Sequence, residues 1–155
     1  MLIDERPESP EDEPFLRSLI MGTVADELSA RDWPEPMRSS LLESQYRARL
    51  EGLRANFPNA SRAIVLVDER PAGWMAISET DHEIRLVDIV LLPEYRGQGI
   101  GTALIQQLLA DSDRTGKPVR LTVRLDNRAR RLYQRLGFRR IGGDELHDTM
   151  ERPAL

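Results

Sequence analysis

The sequence predicts a single mixed α/β domain, on the strength of three observations. Its 155 residues suit one hydrophobic core. Apolar residues follow helical spacing within residues 13–57 and change to short, strand-like runs from Ala63 onward. A glycine-rich turn at residues 91–101 follows one such run and opens another helical pattern, which is the order of a strand–turn–helix unit.

The chain is predicted to begin with a flexible arm. Residues 1–10 contain Pro7 and Pro10, and their only apolar pair near the start is Leu2-Ile3. We therefore expect residues 1–10 to be loosely held and residues 11–155 to form the folded domain.

Two helices are predicted next, and both carry an apolar stripe. Helical spacing runs from Glu13 to Ala30, and it resumes in a second segment that ends before Pro58. The prolines of Trp33–Pro36 separate the two. The second stripe is interpreted as core, although its Tyr46 is also a candidate for reaching a substrate pocket.

The rest of the chain alternates between strand and helix patterns. The predicted elements are a hairpin of 63–67 and 73–77 around 68–71, a strand at 84–92, a helix from 102 to 110, a strand at 119–123, a helix after Asn127, and a closing strand pair at 138–141 and 146–150. No repeat, low-complexity segment or internal linker interrupts this order.

The turn Leu91–Gly101 reads Leu-Leu-Pro-Glu-Tyr-Arg-Gly-Gln-Gly-Ile-Gly. Glycines allow backbone N–H groups to approach an anion, and a helix N-terminus adds unpaired donors, so this turn predicts a phosphate site. It lacks the lysine of a nucleoside-triphosphate loop, and Thr102 stands where a dinucleotide fingerprint has its last glycine. A turn without any ligand is the alternative that the turn alone leaves open.

A second motif follows the strand pattern at 119–123. Residues Asp126–Phe138 read Asp-Asn-Arg-Ala-Arg-Arg-Leu-Tyr-Gln-Arg-Leu-Gly-Phe. Asn127 suits a helix N-cap and Gly137 suits a helix end. The apolar positions fall on one helical face; they are Ala129, Leu132, Tyr133 and Leu136.

Together these motifs resemble the two hallmarks of the GCN5-related N-acetyltransferase (GNAT) superfamily, across roughly residues 64–150. The resemblance implies the superfamily's fold, a mixed central sheet of about six to seven strands flanked by four helices. It also implies an acetyltransferase that uses acetyl-CoA as co-substrate, without a metal. The superfamily's usual first strand would lie within residues 1–10, where this sequence offers little apolar content.

The resemblance also implies which residues bind acetyl-CoA. The backbone of the central strand would contact the pantetheine arm, and the N–H of Leu91 would point at the thioester oxygen. The glycine turn would hold the pyrophosphate, and Asn127 would contact the coenzyme near the thioester. The implied binding residues are Ile89, Val90, Leu91, Arg96, Gly97, Gln98, Gly99, Ile100, Gly101, Thr102 and Asn127.

The expected reaction is direct attack of a primary amine on acetyl-CoA in a ternary complex. Because the chain has no cysteine, a cysteine acyl-enzyme is impossible. Tyr133 matches the superfamily's general acid for the leaving thiolate, with core packing as the alternative. The base is open: Asp88 is the acid within the central strand, Glu83 is the next candidate, and a water chain would also serve.

The acceptor is expected to be a small molecule or peptide amine of unidentified structure, bound by residues 28–36 and 142–147. Within the first segment, Asp32 and Glu35 beside Trp33 would suit a cationic amine. A non-catalytic coenzyme A-binding regulatory domain is the alternative function, and the chain is expected to be a monomer or homodimer.

Charge and composition narrow the possible binding partners and the expected location of the protein. Residues 1–35 hold ten acidic residues against three arginines, whereas residues 120–140 hold eight arginines against one aspartate. The basic segment is interpreted as a solvated helix face, with coenzyme phosphates or nucleic acid as alternatives, and nucleic acid is not the expected partner. The acidic start is unlike a signal peptide, and no apolar run is long enough to span a membrane, so a cytoplasmic protein is expected. His82 and His147 are interpreted as plain surface residues.

Overall fold

The computed structural model describes residues 1–155 and has four α-helices and one seven-stranded sheet. The helices are α1 Glu13–Glu27, α2 Met37–Asn56, α3 Ile100–Thr115 and α4 Ala129–Arg135. The strands are β1 Ile3–Pro7, β2 Ser61–Val67, β3 Arg70–Glu79, β4 Ile84–Leu91, β5 Val119–Arg124, β6 Arg139–Gly143 and β7 His147–Arg152. Their order in the sheet is β1-β2-β3-β4-β5-β7-β6, with β4 and β5 parallel and β7 antiparallel to both of its neighbours. The predicted mixed sheet with four helices is confirmed. None of the helices is both long and apolar enough to cross a membrane.

The predicted N-terminal arm is wrong, because Ile3–Pro7 forms an edge strand antiparallel to β2. Backbone pairing and charged side chains hold it there, rather than burial of apolar side chains. The N–H of Leu2 donates to Asp68 at 2.8 Å, and Arg6 donates to both carboxylate oxygens of Asp12 at 2.7 and 2.8 Å. An edge strand of this kind has no apolar alternation for sequence reading to detect.

By its internal contacts the chain divides into two compact units, residues 1–75 with 89–94 and residues 76–88 with 95–155. In the first unit, the indole of Trp74 is 1% exposed and donates to Glu8 at 2.6 Å. Arg62 pairs with Glu8 at 2.8 Å and lies over the Trp74 ring. This cluster joins the end of β1 to β2 and β3.

Gly73 in β3 marks a close backbone approach in the same unit. A Cβ at this position would lie 2.3 Å from the carbonyl oxygen of Val90, well inside van der Waals contact. Only glycine therefore allows β3 and this part of β4 to run so close together.

In the second unit, α3 continues past the predicted end at Ala110 to Thr115. Its last turn is polar in sequence, but Ser112 is fully buried and donates its hydroxyl to the carbonyl of Lys117. Gly116 then ends the helix with a φ of 77°. Side chain to backbone bonding explains why the apolar pattern stopped earlier than the helix.

Candidate active site

The glycine turn between β4 and α3 has the geometry of an anion cradle. Gly97 and Gly99 have φ values of 71° and 83°, a region that favours glycine. Residues 96–99 are exposed, whereas Ile100 is 1% exposed and fixes the turn to the core. The predicted glycine-dependent turn is therefore present.

Gly101 differs from the other two glycines because its backbone is ordinary helix, whereas a Cβ at any of the three positions would meet no atom within 4 Å. The chain's own folding thus gives no reason for glycine at this position. The first helical bond in this turn is donated by Ala103 to Gly99 at 3.0 Å. The N–H groups of Ile100, Gly101 and Thr102 consequently lie outside the helical ladder, beside open space. This arrangement fits a pyrophosphate.

β4 and β5 are paired over only part of their lengths. β4 pairs with β5 from Ile84 to Leu86, whereas β5 remains paired with β7 as far as Arg124. The β4-facing edge of β5 is therefore left unpaired over Thr122–Arg124. An unpaired strand edge presents backbone groups to which an extended ligand can bond.

Tyr133 is buried, and the charge of Asp88 acts on its hydroxyl group. The Tyr133 side chain is buried on α4 and its ring contacts Phe138, with 5.7 Å between the centroids. Burial, reinforced by the charge of Asp88, raises the pKa of Tyr133 to about 12. The phenol is therefore protonated at neutral pH and can donate a hydrogen bond or a proton.

The remaining predicted strand residues lie where β4 ends, in the first unit. Val90 is buried, while Ile89 and Leu91 are half-buried. Asp88, the preceding residue, belongs to the second unit and is also half-buried.

The start of α4 forms a hydrogen bond to a neighbouring side chain of the same segment. Asn127 lies one residue before the N-cap position, Arg128, and its side-chain oxygen accepts a hydrogen bond from the N–H of Ala129 at 2.9 Å. The amide nitrogen of Asn127 is left to donate elsewhere. Gly137 ends the helix as predicted, with a φ of 97°.

Glu83, the second base candidate, is occupied by two arginines. It accepts a hydrogen bond from Arg85 at 2.8 Å and another from Arg120 at 3.3 Å. Each of its two carboxylate oxygens therefore accepts a hydrogen bond from a guanidinium group within the fold.

The basic segment divides into paired and unpaired arginines. Arg120 pairs with Glu83 and Glu151, and Arg124 pairs with Asp126. The remaining exposed arginines form no ion pair; they are Arg128, Arg131, Arg135 and Arg139. A solvated helix face therefore describes part of the segment, while ion pairs within the fold describe the rest.

Sequence reasoning missed Asp148, a buried carboxylate on β7. It is 2% exposed and accepts one hydrogen bond from Arg130 on α4 and one from Arg140 on β6, both at 2.7 Å. These two arginines hold its pKa below the usual value, against the opposing effect of burial. The available signal was its spacing of two from Met150, which places both residues on the core side of one strand.

The two segments predicted to bind the acceptor are both exposed loops. Residues 28–36 connect α1 to α2 and expose 40% of Trp33. Residues 142–147 comprise the end of β6, the turn at 144–146 and the first residue of β7, and they expose 64% of Leu146. Each loop thus presents an apolar side chain to solvent, as a binding loop does.

The chain belongs to the acetyltransferase (GNAT) family, whose model matches residues 25–138. It is therefore an acetyltransferase, as the two motifs indicated.

Several solved structures share this fold. The chain is similar to the PaiA N-acetyltransferase of Thermoplasma acidophilum in complex with coenzyme A, with 20% identity, 99% of each chain covered and a TM-score of 0.72. It is also similar to an acetyltransferase of Thermus thermophilus, with 21% identity, 99% and 97% coverage and a TM-score of 0.71. A third similar structure is the ribosomal-protein-S18-alanine N-acetyltransferase of Escherichia coli, with 20% identity, 99% and 96% coverage and a TM-score of 0.64. No curated protein is similar enough to count as a match.

No group of three or more histidine, aspartate or glutamate side chains is arranged to hold a metal ion.

Proposed function

We propose that this protein transfers the acetyl group of acetyl-CoA to a primary amine of a small molecule or peptide, by direct attack in a ternary complex. The observation that carries the proposal is the start of α3, where glycines and backbone N–H groups face open space and serve no packing of the chain itself. Family membership supports acetyl transfer, and the comparison structure with coenzyme A supports a coenzyme site in this fold.

In this proposal residues 96–102 bind the pyrophosphate, with Arg96 beside them. The backbone of Ile89–Leu91 and the side chain of Asn127 hold the rest of the coenzyme, and Leu91 N–H donates to the thioester oxygen. Acetyl-CoA supplies an activated thioester. A donor aimed at the developing oxyanion stabilises the transition state by about 3–4 kcal/mol in comparable sites.

Two proton transfers complete the reaction. The amine nitrogen forms a bond to the acetyl carbon, the carbon–sulfur bond breaks, and the sulfur leaves as a thiolate. Asp88, the acid within the central strand whose charge acts on Tyr133, accepts the proton that the amine loses. Tyr133 donates its proton to the thiolate, and its raised pKa keeps it protonated until that step.

The test is an activity screen of the purified protein with acetyl-CoA and a panel of amino acids, polyamines, aminoglycosides and peptide N-termini. Release of coenzyme A can be followed with a thiol reagent, and the protein contributes no background because it has no cysteine. We expect at least one amine to raise thiol release above the rate without acceptor, with the acetylated amine identified by mass spectrometry. Tight coenzyme A binding without acetylation of any amine in the panel would favour the regulatory alternative.

A further inference from the structure

Asp148 makes two equal ion pairs to two different elements. Its Oδ2 accepts from Nε of Arg130 on α4, and its Oδ1 accepts from Nε of Arg140 on β6, each at 2.7 Å. The side chain of Asp148 is 3% exposed. A carboxylate so buried is costly unless it stays paired, so it fixes the position of both guanidinium groups.

The anchor itself is rigid. β7 is hydrogen-bonded on both sides, to β5 through the register Val123↔Asp148 and to β6 through Gly143↔Asp148. The main-chain position of Asp148 is therefore determined by two strand ladders.

The two arginines differ in how much their element needs this anchor. Arg140 lies on β6, which is already paired with β7 along its length. Arg130 lies on α4, a helix of only seven residues. Helices this short have little stability of their own, so α4 depends on contacts to the rest of the unit. Arg130 and Tyr133 are three residues apart and are neighbours on the helix surface.

We propose that Asp148, acting through Arg130, is a positioning residue that fixes α4 against β7 and thereby places the Tyr133 hydroxyl for proton transfer to the leaving thiolate. This inference rests on the proposed function. The two ion pairs of Asp148 then have different roles. The pair with Arg130 fixes α4, the helix that carries Tyr133, and the pair with Arg140 only reinforces the pairing of β6 with β7.

The test compares two matched variants, Arg130→Gln and Arg140→Gln. Each removes one charged partner from the same carboxylate and leaves the other. We expect Arg130→Gln to lower kcat about 10-fold or more, since displacement of a catalytic group by about 1 Å can cost as much as 100-fold. Arg140→Gln should keep kcat within about twofold, and both should bind acetyl-CoA within about threefold of wild type, as measured by calorimetry.

A second comparison distinguishes positioning from a general loss of stability. If Arg130 acts through Tyr133, Arg130→Gln should lower kcat no further in a Tyr133→Phe background. Arg130→Lys should restore part of the rate, because it keeps a charged donor near Asp148. Thermal unfolding checks that each variant is folded, and Arg130→Ala is the substitute if glutamine disturbs folding.

Three results would overturn the inference: undiminished turnover in a folded Arg130 variant, equal losses from the Arg130 and Arg140 changes, or independent losses in the Arg130→Gln, Tyr133→Phe double variant. Failure of the acid role itself gives a different result, namely full turnover in Tyr133→Phe alone. That outcome would remove the proposed role of Tyr133 and this inference together.

Discussion

Two helices of this protein begin shortly after a strand, and their starts are built in opposite ways. At α1 the chain supplies its own anion: Asp12 occupies the N-cap position and accepts hydrogen bonds from Ser9 N–H at 2.9 Å and from Arg6. At α3 the N-cap is Gly99 and the first turn has no acidic residue, whereas α1 also has Glu13 in its first turn. The N-cap side chain forms no capping hydrogen bond in either helix, so the two starts differ in charge.

The difference shows how to separate a structural turn from a binding turn. The positive end of a helix attracts an anion, and α1 satisfies this attraction from within the chain. At α3 the first turn has no acidic residue, and a Cβ at Gly101 would meet no atom within 4 Å. A helix start to which the chain contributes no acidic residue is the one that indicates an external phosphate.

The largest expected effect is on kcat and concerns α4. The start of this helix is already bonded within the chain, by Asn127. If α4 contributes chemistry and α3 contributes binding, Tyr133→Phe should lower kcat by about 100-fold or more, the usual scale of acid–base catalysis. Acetyl-CoA affinity should stay close to wild type. Steady-state kinetics with an accepted amine and calorimetry with acetyl-CoA provide the two measurements.

The pH dependence sharpens this prediction. With a pKa raised to about 12, Tyr133 stays protonated throughout the range in which the enzyme can be assayed. The kcat profile of the wild type should therefore show no fall attributable to Tyr133 between about pH 8 and pH 10. A basic limb in that range that disappears in Tyr133→Phe would contradict the raised pKa.

The next largest effect concerns the open start of α3. Gly101→Leu should weaken acetyl-CoA binding at least about tenfold, because a side chain would occupy the space meant for phosphate. The same change should leave the protein at least as stable, since replacing a helical glycine removes a cost of about 0.5–1 kcal/mol. Calorimetry and thermal unfolding measure the two effects.

Gly52→Leu is the matched control, because Gly52 lies within α2 and a Cβ there also meets no atom within 4 Å. We expect the control to keep acetyl-CoA affinity unchanged. Unaltered affinity in Gly101→Leu would mean that the α3 start does not hold the phosphates.

The closed start of α1 predicts a smaller effect, on stability. Hydrogen bonds from Arg6 and Ser9 hold the pKa of Asp12 well below its usual value. The ionised carboxylate therefore stabilises the fold above about pH 4, and this contribution is lost as the pH falls below that value. Asp12→Asn should lower the free energy of unfolding at pH 7 by about 1–2 kcal/mol, discounted because Arg6 is partly exposed.

Denaturant unfolding at pH 7 and pH 3 checks this prediction. The difference in stability between Asp12→Asn and wild type should shrink at the lower pH, where the carboxylate of the unfolded chain takes up a proton and the folded one does not. Glu11→Gln, in the same turn, should change little. A constant difference at both pH values would show that the Asp12 charge is not what stabilises the turn.

The sequence predicted those parts of the fold that depend on periodicity and glycine. The helix around Tyr133, its end at Gly137 and the turn before α3 could all be predicted because each is encoded by neighbouring residues. β1 could not be predicted, since its strand pairing and the ion pair of Arg6 with Asp12 need no apolar pattern.

The candidate site shows the same limit. The segments proposed to bind the coenzyme are contiguous motifs, whereas Asp148 was missed because its partners Arg130 and Arg140 come from two other elements. Residues 120–140 contain eight arginines. The strand register decides which of them contact Asp148, and no local pattern specifies that register.

The smallest expected effect lies in the loop between α1 and α2, where two acids differ as the two helix starts do. Glu35 is satisfied within the chain, by Arg38 at 2.7 Å and by the hydroxyl of Ser39, whereas Asp32 is exposed and forms no ion pair. If the acceptor is a cationic amine that binds beside Trp33, Asp32→Asn should raise its KM about two- to fivefold, the scale of an exposed charge pair. Glu35→Gln should leave KM unchanged, and neither variant should alter acetyl-CoA affinity.

Measuring the two variants at low and high salt separates attraction from packing, because only an electrostatic contribution weakens as salt rises. Equal KM values for wild type and Asp32→Asn at low salt would place the acceptor's charge away from this loop.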